Sequence, residues 1–124
     1  MQYLIRMGIP EMLNFWNDLE DRFNKGRLNK NEVLIFTKLG KTLYLLSNNP
    51  FHPSLQTHEI KPLSIRYGLK VWQSYVENNI SRAKRIYWVY GPNKNDITII
   101  GFEPHPNDRK ANAYSKIKLS RIAK

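Results

Sequence analysis

The hydrophobic period of this chain changes at Asn48-Asn49-Pro50, and this change most restricts the folds open to it. Before it, apolar residues recur at helical steps of four, three and four: Met12, Trp16, Leu19 and Phe23. After it, short runs rich in Val, Ile, Tyr and Trp alternate with turn residues, which is typical of strands. The chain therefore predicts an α+β fold in which the helices come first.

The region before this change predicts a strand and a helical hairpin. Residues 3–7 are a short apolar opening, and one helix follows over the apolar stripe to a stop near Gly26. A second helix is expected over residues 33–46, with Asn29 and Glu32 at the spacing of a capping box. Two helices with a short connection pack most simply as an antiparallel pair.

The region after Pro50 predicts a small antiparallel sheet. Its strands are expected at residues 69–76, 84–90 and 97–102, and residues 56–61 are a further candidate. One face should cover the helices, and the other should be open. His52-Pro53-Ser54-Leu55 predicts a turn that places Leu55 in the core.

The basic segment 109–124 predicts a possible C-terminal helix with three apolar residues, Ile117, Leu119 and Ile122. The expected order is β-α-α-β-β-β in one domain of residues 1–124. It divides into 1–50 (strand and hairpin), 51–108 (sheet) and 109–124 (basic tail).

Positive charge is concentrated after Glu32. Residues 1–32 hold five of the 20 Lys and Arg and five of the 10 acidic residues, so the net charge of +10 belongs to residues 33–124. Two of the three Trp and six of the seven Tyr also lie there. Aromatic side chains beside cations favour flexible RNA over a lipid surface. A basic surface that serves only solubility is the other interpretation.

Several classes of site are disfavoured by what the sequence lacks. There is no cysteine, and no histidine or acidic residue stands at a recognised metal-ligand spacing, so we expect neither a metal nor a cofactor. Glycine-rich phosphate loops and the serine hydrolase and zincin motifs are also missing. No apolar run approaches a bilayer span, and the N-terminus does not resemble a signal peptide, so we expect a cytoplasmic protein that does not enter a membrane.

Three residues are candidates for catalysis. Arg85, mid-strand, can meet a phosphate with a two-pronged hydrogen bond, or it can form a cross-strand ion pair or cover apolar neighbours. His105, between Pro104 and Pro106, can transfer a proton at neutral pH, or it is a loop residue without a role. Tyr114 can stack on a base or contact a phosphate, or it can anchor the tail in the core. Candidate phosphate contacts are Lys61, Arg66, Lys84, Arg109 and Lys110.

Three stretches of the chain resemble the RelE/ParE-like toxin superfamily of bacterial toxin–antitoxin systems. Residues 45–60, LLSNNPFHPSLQTHEI, resemble the family's helix end, Asn-Pro-x-His-Pro-Ser-Leu turn and following strand. Residues 84–90, KRIYWVY, are similar to its Tyr-Arg-Ile-x-Tyr strand. Residues 97–102, ITIIGF, with His105 and Tyr114, are similar to its last strand, late histidine and terminal aromatic.

The resemblance implies a metal-independent endoribonuclease that cleaves translated mRNA, in association with the ribosome, and that is covered by an acidic antitoxin. It implies that Arg85 contacts the scissile phosphate, that His105 is the acid or base, and that Tyr114 is the terminal aromatic of the site. Lys61 corresponds to the basic position after the first turn. A non-catalytic basic module that binds nucleic acid or protein, and an inhibitor of gyrase, are the alternative functions.

Overall fold

The structure, a computed structural model, describes residues 2–78, 80, 82–104, 106 and 113–122. It has an α+β fold, as predicted. In chain order, the elements are β1 (Leu4–Met7), α1 (Glu11–Asn24), α2 (Lys30–Asn48), a 3-10 turn (Pro53–Leu55), β2 (His58–Glu59), α3 (Lys61–Tyr67), β3 (Trp72–Tyr75), β4 (Lys84–Tyr90) and β5 (Asp96–Pro104).

The five described strands form one sheet in the order β1-β5-β4-β3-β2. β2, β3, β4 and β5 pair antiparallel, whereas β1 pairs parallel with β5. The antiparallel sheet predicted after Pro50 is therefore confirmed, and the N-terminal strand joins it as a parallel edge. Parallel neighbours need a long connection, and the helical hairpin and the three strands that follow it separate β1 from β5.

The helical hairpin covers one face of the sheet, as predicted. The capping box forms at the start of α2: the backbone N–H of Glu32 donates to Asn29 Oδ1 at 2.9 Å, and that of Asn29 donates to Glu32 Oε1 at 3.1 Å. A hydrogen bond from Arg22 lowers the pKa of Glu32. The core of this face joins helices, turn and strands; its buried members are Met12, Leu39, Leu43, Leu46, Leu55, Ile86, Trp88, Ile97 and Ile99. The turn that carries Leu55 into this core is also confirmed.

The other face of the sheet is not open, contrary to the prediction. Helix α3 and the segment 113–122, which we call the C-terminal strap, cover a second core of Ile60, Leu63, Val71, Tyr87, Val89, Ile100 and Ile117. The strands expected from the sequence leave residues 62–68 unassigned, because a seven-residue helix with one buried apolar residue gives too little periodicity to detect. Its only signals are Pro62 in the first turn and Gly68 at the end, with φ of +89°.

The C-terminal strap does not form the helix that was predicted within residues 109–124. Residues 113–116 form a turn, and the chain then runs extended to Ile122. Ser120 donates its N–H to the carbonyl of Ile100 at 2.7 Å, and Ile9 and Arg121 exchange backbone hydrogen bonds at 2.8 and 2.9 Å. These bonds to the sheet edge and to the N-terminal segment satisfy the backbone without helix formation, since a short isolated helix is marginal in water.

The close approach between the C-terminal strap and the start of the chain predicts different outcomes for two glycine substitutions. A Cβ on Gly8 would lie 2.7 Å from Ser120 Cβ and 3.0 Å from the carbonyl oxygens of Ile99 and Arg121, so Gly8→Ala should cost about 1–3 kcal/mol. A Cβ on Gly40, inside α2, meets nothing within 4 Å, so Gly40→Ala should stabilise by about 0.5–1 kcal/mol. Urea unfolding monitored by circular dichroism measures both. Equal effects of the two changes would contradict the strap packing.

The hydroxyl of Tyr67 predicts a pH-dependent contribution to stability. It donates to the carbonyl of Ser120 at 2.8 Å, and burial raises the pKa of this phenol above its ordinary value. Tyr67→Phe should cost about 1 kcal/mol at neutral pH. Because the folded state favours the neutral phenol, this advantage is complete below about pH 10 and is lost as the pH rises through the folded-state pKa.

Denaturant unfolding of the wild type and of Tyr67→Phe between pH 7 and pH 11 checks this prediction. Tyr44→Phe is the control at neutral pH, because its side chain is 66% exposed and the change should stay within about 0.5 kcal/mol. A stability gap between wild type and Tyr67→Phe that widens above pH 10 would contradict the assignment.

Candidate functional site

Arg85 lies near the start of β4, half-buried, on the sheet face that α3 and the C-terminal strap cover. Its strand neighbours are Tyr75 on β3 and Glu103 on β5. The guanidinium carbon lies 3.6 Å from the centre of the Tyr75 ring, and Nη1 donates to the carbonyl of Glu77 at 2.8 Å. Its Nε is buried with no hydrogen-bond partner in the described part of the chain. Arg85 is therefore a cation held in place by its neighbours, and its buried Nε donor is unsatisfied in this arrangement.

Beside this cation, the end of β5 borders an open cleft of about 330 Å³. Arg82 and Lys116 supply positive charge to its walls, and Glu103 supplies a carboxylate. That carboxylate accepts the backbone N–H of Lys118 at 2.7 Å, which ties the cleft to the C-terminal strap. The cleft can accept an anionic group, since two cations and one acid line it among the described residues.

Of the other two catalytic candidates, the structure describes Tyr114 but not His105. Pro104 and Pro106, the sequence neighbours of His105, both line the cleft, but His105 lies outside the described residues. Tyr114 is half-buried and packs against the second core, and its carbonyl accepts a hydrogen bond from Arg66 at 2.6 Å. The ring of Tyr114 thus takes part in holding the C-terminal strap.

The predicted phosphate contacts do not converge on one surface. Lys84 lies on the opposite face from Arg85, because adjacent strand residues alternate, and its ammonium is 5.5 Å from the Phe102 ring centre. Arg66 donates to the carbonyls of Tyr114 and Ile117 and so fastens the C-terminal strap. Lys61 is exposed at the first position of α3. Arg109 and Lys110 lie outside the described residues.

Two residues that the sequence analysis missed organise the site. Tyr75 supplies the ring under Arg85. Glu77, 9% exposed, accepts the backbone N–H of Lys84 at 3.0 Å, and its other carboxylate oxygen lies 3.5 Å from the ammonium of Lys38. The pairing of Tyr75 with Arg85 follows from the register of the β3–β4 hairpin. The strands expected at residues 69–76 and 84–90 do not fix that register.

Among the described residues, no group of three or more histidine and acidic side chains is arranged to hold a metal ion. No helix in that part of the chain combines the length and the apolar character that crossing a membrane requires.

Comparisons of the chain with known protein families, with curated proteins and with solved structures find no match. A proposal for its function therefore rests on the geometry around Arg85 and on the chain's own sequence patterns.

The contact between Tyr75 and Arg85 predicts energetic coupling between these two positions. In a double-mutant cycle, Tyr75→Leu and Arg85→Met should show a coupling of about 0.5–2 kcal/mol, because the guanidinium is half-buried over the ring. The matched cycle of Tyr75→Leu with Lys84→Met should show coupling near zero, since Lys84 lies on the other face. Urea unfolding of the six proteins gives both values, and equal couplings would contradict the geometry.

Proposed function

We propose that this chain is the toxin component of a bacterial toxin–antitoxin pair and acts in the cytoplasm as a metal-independent endoribonuclease on translated mRNA. The observation that carries the proposal is Arg85, a half-buried cation fixed over Tyr75 beside a cleft that reaches the sequence neighbours of His105. The net charge of +10 supports a polyanionic substrate. The N-terminal strand, helical hairpin and following sheet agree with the family that the sequence resembles.

The proposed reaction uses the nucleophile that RNA carries. The 2′-oxygen attacks the adjacent phosphorus, its proton passes to a base, and the bond from phosphorus to the 5′-oxygen breaks. The leaving 5′-oxygen takes up a proton, so the products are a 2′,3′-cyclic phosphate and a 5′-hydroxyl. In this proposal His105 transfers the protons. Arg85 stabilises the charge that develops on the phosphate, an effect that partial burial strengthens.

Cleavage in a translation extract tests the proposal. The protein should cut reporter mRNA, and the new ends should carry a 5′-hydroxyl. Arg85→Ala and His105→Ala should each slow cleavage by about 10²-fold or more. Arg27→Ala is the matched control, because it removes an exposed arginine from the connection between α1 and α2. Primer extension measures the cleavage rates, and circular dichroism verifies folding.

A reporter with a 2′-O-methyl group at the mapped cleavage site separates this mechanism from others. That transcript should remain intact, because its nucleophile is blocked. Cutting at the methylated site, or wild-type rates in folded Arg85→Ala and His105→Ala, would exclude the proposed mechanism.

A non-catalytic RNA-binding module is the second candidate, and the enclosure of Arg85 favours it. Nη1 is already used by the Glu77 carbonyl and the guanidinium face by Tyr75, so the side chain has a structural role in the described conformation. In that case binding should weaken steeply with salt and no cut ends should appear.

An acidic antitoxin is the partner that completes the proposal. Co-expression of an acidic protein encoded beside this gene should relieve growth inhibition by the wild-type chain, while expression of the chain alone should stop growth.

A further inference from the structure

A second cationic cleft lies on the far side of Tyr75 from Arg85. It occupies about 220 Å³ between α2, the 3-10 turn and the end of β3. Its polar lining among the described residues consists of Lys38, Lys41, Thr42, Ser54, Tyr75, Glu77 and Asn78, so two ammonium groups face one carboxylate. None of its lysine, serine or asparagine residues belongs to the phosphate contacts expected from the sequence.

The two lysines of this cleft have different roles. Lys38 is neutralised in part by Glu77, with 3.5 Å between ammonium and carboxylate oxygen. Lys41 lies one helical turn further on and is exposed, and no carboxylate of the described residues lies within 4.0 Å of its ammonium. A cation without an acidic partner, facing a polar cleft, is suited to an anion that the chain itself does not supply.

The cleft is directly connected to Arg85 through one side chain. Tyr75 is one of the residues that line the cleft, and the guanidinium carbon of Arg85 lies 3.6 Å from the centre of its ring. Glu77 links the same two places, since its carbonyl binds Arg85 and its carboxylate pairs with Lys38. A strand whose phosphate contacts Arg85 therefore has a neighbouring polar cleft within reach for a further phosphate.

We infer that this cleft is a phosphodiester subsite for single-stranded RNA, in which Lys41 makes the main contact and Lys38 and the Ser54 hydroxyl assist. The inference rests on the proposed function, because it extends the RNA path from Arg85 across Tyr75. It assigns to the α2 surface a role in substrate affinity that is separate from the chemistry at Arg85.

Salt-dependent binding of an uncleavable RNA tests the subsite. The probe is a fluorescein-labelled single-stranded oligonucleotide with 2′-O-methyl groups throughout, and fluorescence anisotropy at several potassium chloride concentrations gives its affinity. Lys41→Ala should lower the slope of log affinity against log salt by about 0.7 and weaken binding roughly fivefold at 0.1 M salt, the effect of one lost phosphate contact. Lys41→Arg should restore both values.

Lys30→Ala is the matched control, because Lys30 is an exposed lysine at the first position of the same helix. It lies about 16 Å from Lys41 along the helix axis, which exceeds the screening length of about 10 Å at 0.1 M salt. We expect its slope to equal that of the wild type. Equal slopes in Lys41→Ala and Lys30→Ala would overturn the subsite.

The outcomes separate this inference from the proposed function. A wild-type protein that cleaves mRNA but whose affinity does not depend on Lys41 overturns the subsite alone. A wild-type protein that neither binds the probe nor cleaves mRNA overturns both. If Lys41→Ala loses affinity for a polyglutamate peptide but keeps full affinity for the RNA probe, the cleft is a site for an acidic protein and the RNA assignment is overturned.

Discussion

The burial of β4 on both faces is the constraint on which the rest of the structure depends. Ile86, Tyr87, Trp88 and Val89 are all 0% exposed, with α1 and α2 on one side and α3 and the C-terminal strap on the other. A strand buried in this way is a continuous apolar run, so its middle cannot present polar groups to a substrate. Chemistry on this strand is confined to its ends, and Arg85 lies at one of them.

The same constraint explains why polar side chains of α3 bind the C-terminal strap and are not free to bind a ligand. The C-terminal strap must stay in place to cover Tyr87 and Val89, and Arg66 and Tyr67 hold it through backbone carbonyls. Arg66 is exposed, but its withdrawal would remove a charged donor from the part-buried carbonyl of Ile117. The charge of Arg66 therefore adds to the field of the protein, while its hydrogen bonds serve the fold.

Local patterns predicted α1, α2 and most of the strands, whereas contacts between distant residues determine the features that the sequence did not predict. The run KRIYWVY predicted β4 with its observed bounds, and Asn29 with Glu32 predicted the capping box, because both signals lie within a few residues. The parallel pairing of β1 with β5 depends on partners about 90 residues apart. The path of the C-terminal strap depends on partners that lie from about 20 residues away, at Ile100, to about 110 residues away, at Ile9. At the candidate site, the sequence named Arg85 as a candidate residue. It did not predict the contacts of Arg85 with Tyr75 and Glu77, because these depend on the register of the β3–β4 hairpin.

The position of acids relative to cations, rather than the net charge, determines where an RNA strand would be held. Asp18, Asp21, Glu32, Glu77 and Asp96 each pair with a cation within 4.0 Å, and Asp96 is additionally bound by Asn93. These pairs fix local structure but leave the excess of +10 unchanged, so the long-range attraction to a polyanion remains. That attraction does not fix the position of an RNA strand along the protein surface. A fixed position for the strand requires cations that the fold immobilises, and Arg85 over Tyr75 is such a cation. An exposed lysine such as Lys41 would add affinity without fixing orientation.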